Sequence, residues 1–308
     1  MHDRYSEIKK KLDNNEIIIL DGGIGTELQK RGLAMDGSWS GTSSIHSDIL
    51  KQIHIDYINS GSQVITTNTY ASSRIMLEAA GYGDRFKEIN LKAINAALDA
   101  RNETLNDEIV IAGSLSHRYP IADGDLMSSA SVKVSQSRLK EAADEMVEIL
   151  SYNGCDLILL EMMYRPDRMS TIFDAAKKSN KPIWAGFSSR ISDDGEILSL
   201  TDEVDVPFKD IVQIIKDYKL DAVGIMHTSV DIISESVSII REIFDGPIMA
   251  YPNSGGWLSP NWTFDTVIET TDFQKKAQEW INQGVQIVGG CCGISTEHIK
   301  AISRGLKK

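Results

Sequence analysis

Residues 222–253 read AVGIMHTSVDIISESVSIIREIFDGPIMAYPN. An apolar run, Ala222–Thr228, ends in polar residues. A stretch with apolar spacing of three and four, Ile232–Phe244, follows it, and a second apolar run, Pro247–Asn253, opens after a Gly-Pro break. Strands that are apolar on both faces belong in a parallel sheet, and parallel strands need a long crossover, usually a helix, to return the chain. The stretch therefore predicts a β-α-β unit.

The same alternation continues outward in both directions. Ile17–Gly23, Gln63–Tyr70, Ile109–Leu115, Asp156–Met163 and Pro182–Ser188 precede the unit as strands, and Val285–Gly290 follows it. Helical spacing separates them: the Ile49-Ile53-Tyr57 row, Phe86–Asp99, Leu139-Ala142-Met146-Leu150, Asp167–Lys178, Ile211-Ile214-Ile215-Tyr218, Phe273–Asn282 and Thr296–Leu306. Eight strands alternating with eight helices in 308 residues, without a linker between halves, predict an α/β fold. A single (β/α)8 TIM barrel domain spanning residues 1–308 is favoured over an open doubly wound sheet. No antiparallel hairpin is indicated. The longer loops, Arg31–Ser47, Ser116–Val134 and Gly255–Thr271, follow strands or lie near them, where they can cover one mouth.

With 44 acidic against 32 basic side chains and a net charge of −12, the chain shows no basic stripe, so nucleic acid and anionic membrane are poor partners and a small molecule a better one. The longest apolar stretches, such as Ile17–Leu20 and Leu157–Leu160, fall far short of the roughly 20 residues that cross a bilayer. The N-terminus, Met1-His2-Asp3-Arg4-Tyr5, is polar and resembles neither signal peptide nor anchor. A cytoplasmic protein with no membrane span is expected. Three cysteines, two of them adjacent as Cys291-Cys292, cannot build a disulfide framework, which leaves buried hydrophobes, metal ligands or nucleophiles.

Barrel active sites assemble at the C-terminal ends of the strands. Polar groups recur there: Asp21-Gly22-Gly23, Thr67-Asn68-Thr69, Gly113-Ser114, Glu161, Ser188-Ser189, His227-Thr228, Asn253-Ser254 and Gly289-Gly290-Cys291-Cys292-Gly293. Turn formation accounts for the Gly, Asn and Ser residues. It accounts poorly for Glu161 and the paired cysteines, whose flanking glycines allow close backbone approach. Two thiolates can bind zinc if a third ligand comes from elsewhere, and His227, at the end of the sixth strand, is the best candidate. Taken alone, paired cysteines are more often core, and a lone histidine is more often structural.

Several separated motifs now combine: Leu20-Asp21-Gly22-Gly23-Ile24-Gly25-Thr26-Glu27-Leu28, Trp39-Ser40, His54-Ile55-Asp56-Tyr57, Thr66-Thr67-Asn68-Thr69-Tyr70, Ala112-Gly113-Ser114-Leu115, Leu160-Glu161, Tyr251-Pro252-Asn253-Ser254-Gly255 and Gly289-Gly290-Cys291-Cys292-Gly293. In this order they resemble the zinc-dependent homocysteine S-methyltransferase family over nearly the whole chain. The resemblance implies a methyltransferase that moves a methyl group from a small sulfonium donor, S-methylmethionine or S-adenosylmethionine, to the thiol of homocysteine, forming methionine. It further implies a Zn2+ cofactor on Cys291 and Cys292, with His227 as the third ligand that the strand ends offer, and a substrate site at Asp21, Gly22, Gly23, Thr69, Glu161 and Asn253. The two carboxylates would take the ammonium, and the amides around Gly22-Gly23 the carboxylate. A sulfonium donor leaves as a neutral thioether, so no catalytic residue beyond the metal site is expected. The chain ends soon after the eighth strand and its helix, which favours a free donor over a carrier-bound methyl group.

One departure stands out. Where the family typically carries Gly-(Val/Ile)-Asn-Cys after the sixth strand, this chain has Gly224-Ile225-Met226-His227. Either His227 replaces the thiolate as ligand or the metal is weakened or lost; replacement is favoured, because imidazole ligation of zinc is common. Ligating imidazole is neutral, so such a site carries about one negative charge less than a three-thiolate site. Slower transfer, a more reactive donor, or another thiol or selenol acceptor would follow. A barrel using a cysteine nucleophile without zinc, or one that only binds an amino acid, are the alternatives. Glu27 and Trp39 are weaker pocket candidates; Cys155 and His54 are expected to be core.

Overall fold

The computed structural model describes residues 4–33, 39–120, 133–201, 203–258 and 261–306. Eight parallel strands form one sheet: Ile18–Ile19, Val64–Thr66, Val110–Ser116, Leu157–Met163, Ile183–Phe187, Ala222–Ser229, Ile248–Asn253 and Val285–Val288. From the second strand on, each pairs with its neighbour in this series, and the first pairs with the last at Ile18–Ile287 and Ile19–Val288. A parallel bridge from Leu20 to Val64 joins the first strand to the second, so the sheet curls into the predicted barrel.

Alternation along each strand sorts the apolar side chains into two layers. Leu157 and Leu159 point into the lumen with Val110, Ala112, Trp184 and Met249. Ile158 and Leu160, one residue out of phase, belong to the shell between sheet and helices, together with Met146, Ile172 and Phe173. Among the described residues no helix is long and apolar enough to cross a membrane.

The structure adds elements that the strand-helix alternation does not predict. Arg4–Asp13 is a helix whose Tyr5, Ile8 and Leu12 enter the lumen cluster and close the N-terminal end of the barrel. Tyr5 Oη accepts the indole N–H of Trp184 at 3.1 Å. The expectation of no antiparallel hairpin is corrected twice. Ser189–Ile191 pairs with Ile197–Ser199, and Gly256–Leu258 with Asn261–Thr263. The first hairpin turns at Asp194-Gly195, with Gly195 at φ +83°, a turn signal of the kind that joins antiparallel strands. Between the fifth and sixth barrel strands, the predicted helix over Ile211–Tyr218 is instead a short α-turn, Phe208–Ile211, running into a 3-10 helix, Val212–Asp217. The expected loop Ser116–Val134 lies largely outside the described residues.

Two strands lose their register near the C-terminal mouth. The fourth slips against the fifth between Leu160 and Met163, and the sixth against the seventh between Met226 and Ser229. Met162 and His227 sit inside these slips with φ of +51° and +43°. Such left-handed backbone is uncommon for non-glycine residues.

Candidate metal centre and its cavity

The first and eighth strands touch at their C-terminal ends because both continue into glycines. A Cβ on Gly289 would lie 2.7 Å from Leu20 Cβ, and one on Gly23 would lie 2.6 Å from the Cys291 carbonyl oxygen. Neither distance leaves room for a side chain. The turn 289–293 is then held from three directions. Gly290 N–H donates to the Asp21 carbonyl at 2.9 Å, and Cys291 N–H to the Pro252 carbonyl at 2.8 Å. Gly293 N–H donates to Thr26 Oγ1 at 2.8 Å. The turn therefore presents Cys291 and Cys292 from a fixed backbone.

His227 arrives from the sixth strand. The Met226 carbonyl just before it accepts hydroxyls from Ser188 at 2.9 Å and Thr228 at 3.0 Å, which holds the irregular strand end in place. His227 Nδ1 lies 3.5 Å from Cys291 Sγ, and Cys291 Sγ lies 3.9 Å from Cys292 Sγ. All three groups offer ligand atoms within 4.8 Å of one another. A four-coordinate ion with bonds of roughly 2.1 Å to nitrogen and 2.3 Å to sulfur holds such atoms about 3.6 and 3.8 Å apart. The three side chains fit a metal ion. The Cys292 thiol beside it and its own burial push Cys291 well above the usual thiol range, so ionising it calls for a compensating positive charge.

These ligands border a cavity of about 120 Å³ that is also lined by Asp21, Glu161, Trp39, Tyr70 and Tyr251. Asp21 accepts both the Thr66 N–H at 2.7 Å and the Thr66 hydroxyl at 2.9 Å. Burial nevertheless pushes its carboxyl up to about 8, with the nearby Glu161 adding to the rise. Glu161 accepts the Ser114 hydroxyl, and burial raises it to about 7 against the opposing effects of Ser114 and His227. Two buried acids with raised pKa beside a triad that could hold a metal ion favour a cationic ligand group that would restore their charge. The Tyr251 hydroxyl is also buried without a hydrogen-bond partner among the described residues.

Of the residues expected from sequence, Asp21, Gly22, Gly23, Glu161, His227, Cys291, Cys292 and Trp39 line this cavity. Thr69 does not; its hydroxyl is spent on the Ser114 carbonyl at 2.7 Å and on Thr67 at 2.8 Å. Asn253 faces a separate cleft with Ser229, Asp231 and Thr266. The Gly23 amide, expected to meet a substrate carboxylate, donates to the Ile294 carbonyl at 2.8 Å. Glu27 is a structural acid, 3.4 Å from Arg31, which also holds Asp56 at 2.5 Å. Cys155 is buried in the helix-facing shell with its thiol pushed up to about 12 by burial, and His54 is fully buried. Tyr70, Met162, Met226 and Tyr251, not expected in the site from sequence, also stand in the cavity wall. Each lies within two residues of a polar strand end, which is the signal that would have found them.

The family model for homocysteine S-methyltransferase matches residues 18–306. Homocysteine S-methyltransferase 2 of Zea mays is 28% identical over 311 residues, covering 94% of this chain and 90% of the relative. The selenocysteine methyltransferase of Astragalus bisulcatus is 27% identical over 319 residues, covering 92% of this chain and 90% of that protein. The crystal structure of the homocysteine methyltransferase MmuM from Escherichia coli, in its metallated form, superposes with a TM-score of 0.78 at 23% identity, covering 96% of this chain and 99% of that one. At this identity the superposition speaks to the fold.

Proposed function

Since the chain belongs to the homocysteine S-methyltransferase family, we propose that it transfers a methyl group from a small sulfonium donor to the sulfur of homocysteine, forming methionine, with zinc held by His227, Cys291 and Cys292. The observation that carries this proposal is the spacing of the three ligands, 3.5 and 3.9 Å, at the edge of a cavity that contains two buried carboxylates. Zinc, when bound there, supplies positive charge that ionises a thiol near neutral pH.

The chain's own residues do the rest. Glu161, fixed by Ser114, takes the substrate ammonium, with Asp21 behind it, locked by its two bonds to Thr66. With the Gly23 amide engaged, the substrate carboxylate falls to the backbone around Gly22, Ile24 and Gly25, residues that line the same cavity. Tyr70, Met162, Met226 and Tyr251 exclude water from the sulfur. The donor departs as a neutral thioether, so no side chain must deliver a proton to it.

His227 leaves the ligand set one charge less negative than three thiolates would, which lowers the nucleophilicity of the acceptor sulfur. A selenol, which ionises more readily than a thiol, is the acceptor least affected. The test is zinc stoichiometry of freshly purified protein, with transfer rates from S-methylmethionine and S-adenosylmethionine to homocysteine and selenocysteine. One zinc per chain, lost in His227→Ala and retained with a faster homocysteine rate in His227→Cys, is the expected result. Identical metal content and rate in all three proteins would remove His227 from the centre, and amino acid binding without turnover would make the protein a binder.

A further inference from the structure

The fourth and sixth strands leave regular geometry where they carry chemistry, and one side chain spans the two irregularities. Met162 follows Glu161 at φ +51°, inside a register slip that takes its N–H out of the strand ladder. That N–H faces Met226 Sδ instead, the one acceptor that it meets among the described residues. Met226 immediately precedes His227, and its carbonyl is held by Ser188 and Thr228. On the far side, Met162 Sδ accepts the Tyr70 hydroxyl at 2.9 Å. Tyr70, Met162 and Met226 all border the metal cavity, and both methionines are buried.

We infer that Met226 is a positioning residue that sets the separation between His227 and Glu161, and so between the metal that takes the substrate's sulfur and the carboxylate that takes its ammonium. This rests on the assignment of His227, Cys291 and Cys292 as a metal centre. A thioether is a weak acceptor, yet here it is the acceptor for a buried amide, and a buried amide without one is strongly disfavoured. An aliphatic side chain at 226 would fill the same space while leaving the Met162 N–H stranded. The strand end would then shift to find water or another carbonyl, carrying Glu161 and His227 with it. The same side chain thus sets both ends of an amino acid substrate.

The test uses full-length protein labelled with 15N-methionine, whose ten methionines give a sparse amide spectrum. In Met226→Leu, the Met162 amide should exchange at least tenfold faster and the affinity for Co2+ should fall about tenfold, the size typical of losing an outer-shell support. The cobalt absorption bands should shift, and KM for homocysteine should rise more than kcat falls. Met226→Gln, which offers an amide oxygen, should restore amide protection and metal affinity. Faster exchange in Met226→Leu with cobalt affinity, spectrum and KM all unchanged would overturn the inference. If the leucine variant fails to fold, the wild type decides: Zn2+ must move the Met162 signal while Met76 and Met146, on outer helices, stay put, and an unmoved Met162 overturns it. Wild-type protein that binds neither ion would overturn the metal centre as well, which is distinct from normal metal binding that ignores Met226.

Discussion

The two ends of the barrel are built from the same strands and differ in what they leave unsatisfied. At the N-terminal end, Tyr5, Ile8 and Leu12 plug the lumen against Ile18 and Trp184, and the Tyr5 hydroxyl and the Trp184 indole N–H inside the plug pair with each other. At the C-terminal end the lumen holds two buried acids, three side chains that could hold a metal ion and a tyrosine hydroxyl without a partner among the described residues. Trp39, Ser40, Met162 and His227 adopt left-handed backbone there. One end is optimised for burial. The other keeps strained backbone and uncompensated polar groups that a bound metal and a zwitterionic substrate would satisfy.

A pair of substitutions tests this division most directly. Cys291→Ser should abolish metal binding and reduce methyl transfer by at least roughly a thousandfold, while the melting temperature of the metal-free protein changes little, since serine nearly matches the cysteine in size at a side chain packed on the edge of the lumen cluster. Trp184→Ala should do the reverse, costing about 3–5 kcal/mol of stability in chemical unfolding while zinc stoichiometry at low temperature stays the same. If Trp184→Ala also empties the metal centre, the two ends are not independent.

Within the C-terminal end, substitution of a carboxylate should have the next largest effect. Glu161→Gln should weaken methionine binding by roughly a hundredfold, the loss of a charge-assisted hydrogen bond of about 2–3 kcal/mol. Methionine has no thiol to titrate, so its calorimetric affinity isolates the ammonium contact. In the wild type that affinity should rise with pH through about 7 as Glu161 ionises, and the glutamine variant should flatten the rise. An unchanged slope would assign it to Asp21, whose carboxyl titrates near 8.

The smallest effect lies outside both ends. His54 is fully buried on the helix Ser47–Ser60, neither ring nitrogen has a hydrogen-bond partner among the described residues, and burial depresses its pKa to about 3. An unfolded histidine titrates near 6.5, so between that value and about 3 the unfolded chain binds the extra proton. The stability contributed by a neutral His54 is therefore complete above about pH 6.5 and is lost as pH falls toward 3. His54→Leu should reduce the stability lost between pH 7.5 and pH 5 by about 2 kcal/mol, measured by denaturant unfolding at both pH values. Equal losses in the two proteins would show that His54 reaches water or a proton at little cost.

Much of the architecture could be read from local pattern. All eight barrel strands lie where apolar runs predicted them, although the first is confined to Ile18–Ile19 because Asp21-Gly22-Gly23 turns away to meet the cysteine turn. The plug helix Arg4–Asp13 obeys the same apolar spacing and was missed because its burial inside the lumen is a tertiary fact. The hairpin at Asp194-Gly195 had a local signal. The site was half legible: chemically unusual residues such as Glu161, Cys291-Cys292 and His227 announce themselves by type and position, whereas Tyr251 and Met226 look like ordinary core.

The sequence by itself determined the alternation of strand and helix, and the strand ends at which reactive side chains appear, because both follow from side-chain periodicity and backbone chemistry over a few neighbouring residues. Only the tertiary structure decided which of those side chains share a cavity. Thr69 and Asn253 sit at strand ends like the others, yet one is consumed by its neighbours and the other opens on a different cleft. The separation of His227 from Cys291 depends on a register slip in one strand and on glycines that let two others touch. Such distances are set by packing between segments far apart in the chain, and no local pattern encodes them.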